Sequence, residues 1–269
     1  MSLRTRGRSR EAGSKSADFY PQWYMSEIVE RIRAELQSSA DEAYRRSARR
    51  FFKEEVRLYG VKTATVGKIA KRYWREVEGL EKGEILDLCE ELLRTEYCED
   101  AFIVSYWSPR LVNRLAPEDL ALFERWIETY INNWAKCDAL CNHAVGDFIE
   151  RYPESIRRLA AWAESENRWL KRAAAVSLII PARRGRYLTE VFEIADRLLS
   201  DGDDMVQKGY GWLLKEASRL NQKEVFDYVV RNKKAMPRTA LRYAVELMPK
   251  ALKSEAMKKD WNERSPGST

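Results

Sequence analysis

A tryptophan and an aspartate four residues apart, Trp134 and Asp138, sit in the stretch Asn132-Asn133-Trp134-Ala135-Lys136-Cys137-Asp138-Ala139-Leu140-Cys141. On an α-helix that spacing puts both side chains on one face, one turn apart. An aromatic plane beside a full negative charge suits a cationic ligand, because the ring face and the carboxylate both attract positive charge. The plainer reading is a core tryptophan beside a surface or helix-capping aspartate, since tryptophan is ordinarily a packing residue.

Two further stretches bear on the same chemistry. Asn167-Arg168-Trp169-Leu170-Lys171-Arg172 runs into Ala173, Ala174 and Ala175, which thin the helix and permit close packing. Arg172 is either a fork for a phosphate or for Asp138, or an ordinary solvated arginine. Gln207-Lys208-Gly209-Tyr210-Gly211-Trp212 places two glycines beside a second tryptophan. Each glycine costs a helix about 1 kcal/mol, so a reason is needed. Access to the Trp212 ring is one, and close approach of a neighbouring helix is the other. Cys137, Cys141 and His143 hint at a metal site, but there is no fourth ligand nearby and His143 is the only histidine. No metal and no cofactor are expected.

The elements that must carry these residues are helical. Ile28, Ile32 and Leu36 step by four, and Leu86, Cys89, Leu92 and Leu93 repeat the pattern. Pro117-Glu118-Asp119 opens a helix with Leu120, Phe123, Ile127 and Tyr130 on its apolar side, and Pro153-Glu154-Ser155 opens another. Trp169, Ala173, Val176 and Ile180 share a face. Later helices are expected near 222–231 and 237–256. The most strand-like run, Phe102-Ile103-Val104, lies inside a plausible helix. Helix starts at Pro117, Pro153 and near Arg184 are roughly 30 to 36 residues apart, a spacing compatible with a helical-repeat solenoid and almost as well with an irregular bundle.

The 269 residues are 45% hydrophobic and 33% charged, with only 12 Gly and 8 Pro, which leaves little room for the turns of an all-β fold. The net charge of +6 permits a nucleic acid, an acidic protein or a membrane surface as partner. Much of it lies in Arg4, Arg6, Arg8, Arg10 and Lys15, within a segment 1–18 read as a disordered basic tail. A single domain is expected over 19–258, with a frayed tail at 259–269. There is no apolar run long enough to span a membrane and no signal-like N-terminus, so the expected setting is cytoplasmic, with reduced thiols.

Taken in order, these segments resemble the AlkD family of HEAT-like-repeat DNA alkylation-repair proteins. The likeness runs from about Tyr44 to Val245. It rests on Trp134-x-x-x-Asp138, Gly146-Asp147 before the Pro153 helix start, Trp169-Leu170-Lys171-Arg172-Ala173-Ala174 and Lys208-Gly209-Tyr210-Gly211-Trp212, with Leu58-Tyr59-Gly60-Val61-Lys62-Thr63 as the family's N-terminal turn. The resemblance implies an all-α, C-shaped stack of antiparallel helix pairs. It implies a monomer that grips duplex DNA containing alkylated bases along a basic concave face. It implies hydrolysis of the N-glycosidic bond of cationic N3- and N7-alkylated purines.

By position, the resemblance makes Asp138 the catalytic carboxylate, Trp134 and Trp212 the aromatic walls, and Arg172 the anchoring arginine. Candidates for DNA contact are Phe51, Arg172, Arg183, Arg184, Arg186, Lys208 and Arg242. Phe51 falls where relatives carry a tyrosine, so the ring persists without its hydroxyl. Ala135 stands where relatives often have a polar residue. The competing class is a HEAT-like scaffold that recognises DNA structure or a protein without catalysis.

Overall fold

The structure, a computed structural model, describes residues 22–258. The two expected tails, 1–18 and 259–269, lie outside the described residues. In chain order the helices are α1 (Gln22–Ser38), α2 (Glu42–Arg49), α3 (Thr63–Val77), α4 (Lys82–Leu93), α5 (Cys98–Leu111), α6 (Leu120–Tyr130), α7 (Trp134–Leu140) and α8 (Gly146–Arg151). There follow α9 (Ile156–Ala163), α10 (Arg168–Val176), α11 (Ile179–Arg183), α12 (Leu188–Arg197), α13 (Asp204–Ala217), α14 (Gln222–Asn232), α15 (Arg238–Ala244) and α16 (Lys250–Met257). The described residues form no strand, only an isolated bridge between Arg57 and Tyr97. The described part of the chain is thus all-helical, and Phe102-Ile103-Val104 sits within α5.

Two rows of helices emerge from the packing. In one row α3, α5, α7, α10, α13 and α15 each lie against the next. In the other, α1 packs on α4, α4 on α6, α9 on α12 and α14 on α16, and hairpin partners such as α9–α10 and α12–α13 join the rows. The apolar faces read from the sequence lie between them: Ile28, Ile32, Leu36, Cys89, Phe123, Ile127, Tyr210 and Leu213 are all buried.

One sequence offset recurs along the stack. Arg125 donates to Glu90 across 35 residues, Arg158 to Glu124 across 34, Arg197 to Glu164 across 33 and Tyr228 to Asp196 across 32. A constant offset near 34 is what stacked helix pairs of one length produce.

The N-termini of the site-bearing helices keep the same register. Asn133, Asn167 and Asp203 precede α7, α10 and α13, and each side chain accepts a backbone N–H of the first turn. Such caps are worth about 1 kcal/mol apiece, and they fix where each helix begins.

Two expected helices are interrupted. The stretch 237–256 divides into α15 and α16 ahead of Pro249, whose missing N–H and ring cannot continue a helix. The face from Trp169 to Ile180 ends at Val176, and α11 restarts at Ile179. The proline-led starts appear as single 3-10 turns, Pro117–Asp119 and Pro153–Ser155, leading into α6 and α9.

Candidate functional site

α7 starts at a buried cap. Asn133 accepts from the Lys136 amide at 3.1 Å and, at 3.4 Å, its Nδ2 donates to Cys98 Sγ. Trp134 therefore occupies the first helical position, half-buried, with Asp138 one turn further on. From α10, Arg172 presents Nε to Asp138 Oδ1 and Nη2 to Oδ2, both at 2.8 Å. Its Nη1 donates to the Met205 carbonyl in the first turn of α13. The two side chains are nearly withdrawn from solvent, with 6% of Arg172 and 13% of Asp138 exposed. Burial pushes the Asp138 carboxyl above the usual carboxylate range, and the Arg172 charge and hydrogen bonds draw it back. The result is a carboxylate fixed in direction by a planar fork. Each of its oxygens keeps a second lone pair for another donor.

The two glycines of α13 differ in what surrounds them. A Cβ on Gly209 would stand 3.4 Å from Arg172 Cγ and 3.7 Å from its Nη1, ordinary van der Waals contact that does not demand glycine. A Cβ on Gly211 would stand 2.7 Å from Tyr243 Cβ and 2.8 Å from the Ala240 carbonyl, so α13 and α15 meet backbone to backbone. Neighbour approach is what Gly211 requires.

Trp212 lies on the same helix and its Nε1 donates to Glu216 Oε1 at 3.3 Å. Glu216 is buried and also accepts from Arg183 Nε at 2.8 Å and Arg219 Nε at 2.6 Å. Burial penalises this carboxylate, but donation from Arg219 and Arg183 outweighs it and holds the carboxyl below the usual range. Arg183 thus supports Trp212 through Glu216.

A segment from the N-terminal end lies against all three site helices. Phe52 stacks on Trp134, ring centroids 5.4 Å apart at 21°, and Trp134 Nε1 donates to the Phe51 carbonyl at 3.4 Å. Glu54 pairs with Arg168 of α10 at 3.5 Å, and Lys53 with Asp204 of α13 at 3.1 Å. Lys208 shares Asp204 at 2.8 Å. Beneath this segment is a cavity of about 160 Å³, lined by Tyr44, Phe51, Phe102, Trp134 and Ala135 among others.

The residues singled out from sequence fall in distinct places. Trp134, Asp138 and Arg172 come together, with Lys208 near the start of α13 and Trp212 further along it. The Phe51 ring is 74% exposed, and it is its neighbour Phe52 that stacks on Trp134. Arg184 and Arg186 both bind Glu150 of α8, at 2.7 and 3.1 Å. Arg242 is exposed on α15. Sequence reasoning passed over Phe52, Lys53, Tyr44 and Glu216. Only the last had a local signal, its i+4 spacing from Trp212; Phe52 and Lys53 meet Trp134 and Asp204 far along the chain, and Tyr44 lines the cavity.

Cys137 and Cys141 are free, buried thiols, as are Cys89 and Cys98. Among the described residues no three His, Cys, Asp or Glu side chains are grouped to hold a metal. No helix there is long and apolar enough to cross a membrane. α7 passes into α8 through a π-helical turn, Cys141–Val145, a form often found beside functional sites.

Residues 32–248 match the family described as "DNA alkylation repair enzyme". No curated protein matches the chain. Among solved structures, the chain is similar to a "Predicted DNA alkylation repair enzyme from Enterococcus faecalis", with a TM-score of 0.64 and 14% identity over 87% of this chain and 100% of that one.

Proposed function

Since the chain belongs to the DNA alkylation repair enzyme family, we propose that it is a DNA glycosylase releasing cationic N3- and N7-alkylated purines from duplex DNA. The observation that carries this reading is the forked Asp138–Arg172 pair one helical turn from Trp134. An N-alkylated purine already bears positive charge, so it departs as a neutral base and needs no strong general acid. As the C1′–N bond breaks, the sugar gains oxocarbenium character. A fixed carboxylate beside C1′ stabilises that charge and orients the water whose oxygen bonds to C1′, and it accepts the proton that the water loses. Asp138 fills this role, with Arg172 holding it in place. Trp134 and Trp212 offer ring faces to a cationic base.

The non-catalytic scaffold is supported by one feature of the same pair. Arg172 neutralises Asp138, as in an ordinary buried ion pair between repeats. Single-turnover release of methylpurines from methylated duplex DNA separates the two, with wild type and Asp138→Asn compared. Release by wild type that Asp138→Asn loses supports the glycosylase. A wild type that binds the duplex and releases nothing establishes the scaffold.

A further inference from the structure

α2 is unusual in burying no residue at all. Its capping is complete, with Asp41 accepting from the Tyr44 amide at 3.0 Å, and the Gly60 turn clamps it from outside: the Asp41 amide donates to the Gly60 carbonyl at 3.0 Å. Gly60 has φ +93°, and a Cβ there would stand 2.6 Å from Arg45 Cβ. A short helix is thus held in place with none of its side chains fully buried, only Tyr44 and Ala48 being partly covered. Core packing therefore does not explain its sequence, Glu-Ala-Tyr-Arg-Arg-Ser-Ala-Arg.

The two sides of α2 differ in chemistry. Tyr44 and Ala48 line the aromatic cavity beside Trp134. Arg45, Arg46, Arg49 and Arg50 line a second cleft of about 470 Å³, completed by Arg57 and Tyr97. Glu42 is the one carboxylate in that lining; it pairs with Arg45 at 2.5 Å and stands 3.9 Å from Arg46. Arg57 reaches Glu96 at 3.5 Å. Five guanidinium groups therefore face two carboxylates, and Arg46 is 73% exposed. The helix dipole favours arginine in the last turn, which covers Arg46 and Arg49 but not Arg45 or Arg57. A concave excess of forked donors is suited to phosphate.

We propose that this cleft binds phosphodiester groups of a nucleic-acid strand running past the Trp134 cavity. Leu58 lines both recesses, so they are separated by little more than the helix itself. A helix with side chains is about 10 Å across, and a DNA strand advances about 3.4 Å per nucleotide. The cleft therefore meets phosphates about three nucleotides from a base held at Trp134. This placement rests on the proposed action on duplex DNA. The phosphodiester chemistry rests on the cleft alone.

The test compares wild type, Arg46→Gln/Arg50→Gln and Arg46→Lys/Arg50→Lys for binding a fluorescent duplex as salt is raised. If each arginine neutralises one phosphate, the Gln variant lowers the slope of log K against log salt by about 1.8, whereas the Lys variant keeps it. Neither residue is buried, and a circular dichroism melt shows whether the fold is intact. An unchanged slope in the Gln variant overturns the cleft. So does competition by inorganic phosphate or a mononucleotide that the Gln variant loses while its duplex slope stays at wild type, since the cleft would then serve a small anion. A slope lowered in the Gln variant, with a wild type that releases no base, retires the glycosylase reading and leaves the cleft standing. Base release with no slope change does the reverse.

Discussion

Arg172 and Asp138 meet through two parallel hydrogen bonds of 2.8 Å across 34 residues of sequence. That single contact joins α7 to α10, and the third guanidinium nitrogen extends it to α13 through the Met205 carbonyl. Three successive repeats are thus tied at one point, which also fixes the direction of the candidate catalytic carboxylate. Orientation and stability have the same source here, so variants must be chosen to separate them.

Arg172→Ala removes the fork and leaves a nearly buried carboxylate without its cation. Breaking such a pair from one side costs on the order of 3–5 kcal/mol. Denaturant unfolding of this variant should show a loss of that order. Asp138→Asn also breaks the pair from one side: the amide oxygen accepts one donor, but its NH2 faces the other and Arg172 keeps a nearly buried charge, so a loss of similar order is expected. An Arg172→Ala protein within about 1 kcal/mol of wild type would show that the pair is not desolvated as its geometry indicates.

The Asp138 carboxyl lies above its ordinary range because it is buried. The proposed mechanism needs it ionised. Base release should therefore decline as pH falls through this raised value, giving the rate profile an acid limb. Asp138→Asn should remove the limb and lower the rate about 10²–10³-fold, the usual effect of deleting one preorganised electrostatic group. Single-turnover rates over the acid range read both effects. A limb that survives in Asp138→Asn belongs to another group.

The helices with an apolar face were legible in the sequence, and α2 was not. Periodicity reports burial; Ile28, Ile32 and Leu36 announce α1, while α2 buries nothing and gives no such signal. The break at Pro249 was readable from the residue itself, but 237–256 still looks like one helix when only apolar spacing is followed. Trp134, Asp138, Arg172 and Trp212 stood out because each lies in a compact motif. Phe52 and Lys53 did not, because their partners, Trp134 and Asp204, are distant in sequence and meet them only once the repeats are stacked. Arg183, Arg184 and Arg186 look like free cations in sequence. Their partners Glu216 and Glu150 sit about one repeat away, at a separation visible only once the repeat length is known.

Gly211 and Gly67 make a matched pair of substitutions. At Gly211 a new Cβ would press on Tyr243 Cβ and the Ala240 carbonyl at 2.7 and 2.8 Å, with no flexible side-chain end to yield. Gly211→Ala should therefore destabilise by about 1–3 kcal/mol through overpacking. At Gly67, within α3, a Cβ meets nothing nearer than Tyr106 Cε2 at 4.0 Å. Gly67→Ala should stabilise by about 0.5–1 kcal/mol, the helix-propensity gain. Thermal melts of both check this, and equal effects in the same direction would contradict the close α13–α15 approach.

Two carboxylates, Glu90 and Asp100, should give the fold opposite responses to acid. Glu90 accepts from Arg125 Nη1 and Nη2 at 2.8 Å each, from the Tyr130 hydroxyl at 2.8 Å and from Trp126 Nε1 at 3.3 Å. The Arg125 fork, with Tyr130 and Trp126 assisting against burial, holds its carboxyl down at about 2. A depressed folded value favours the fold above the ordinary glutamate pKa, and that contribution is lost as pH falls towards about 2. Asp100 is fully buried at the start of α5, and burial raises its carboxyl to about 6. Folding therefore favours its protonated form, so stability rises as pH drops through about 6. Wild-type stability should first gain and then fall on acidification. Asp100→Asn should remove the early gain, and Glu90→Gln should flatten the later loss while lowering stability at neutral pH. Denaturation midpoints at a series of pH values measure all three. If Glu90→Gln loses stability as steeply as wild type below the ordinary glutamate pKa, the Glu90–Arg125 contact between α4 and α6 is not what fails in acid.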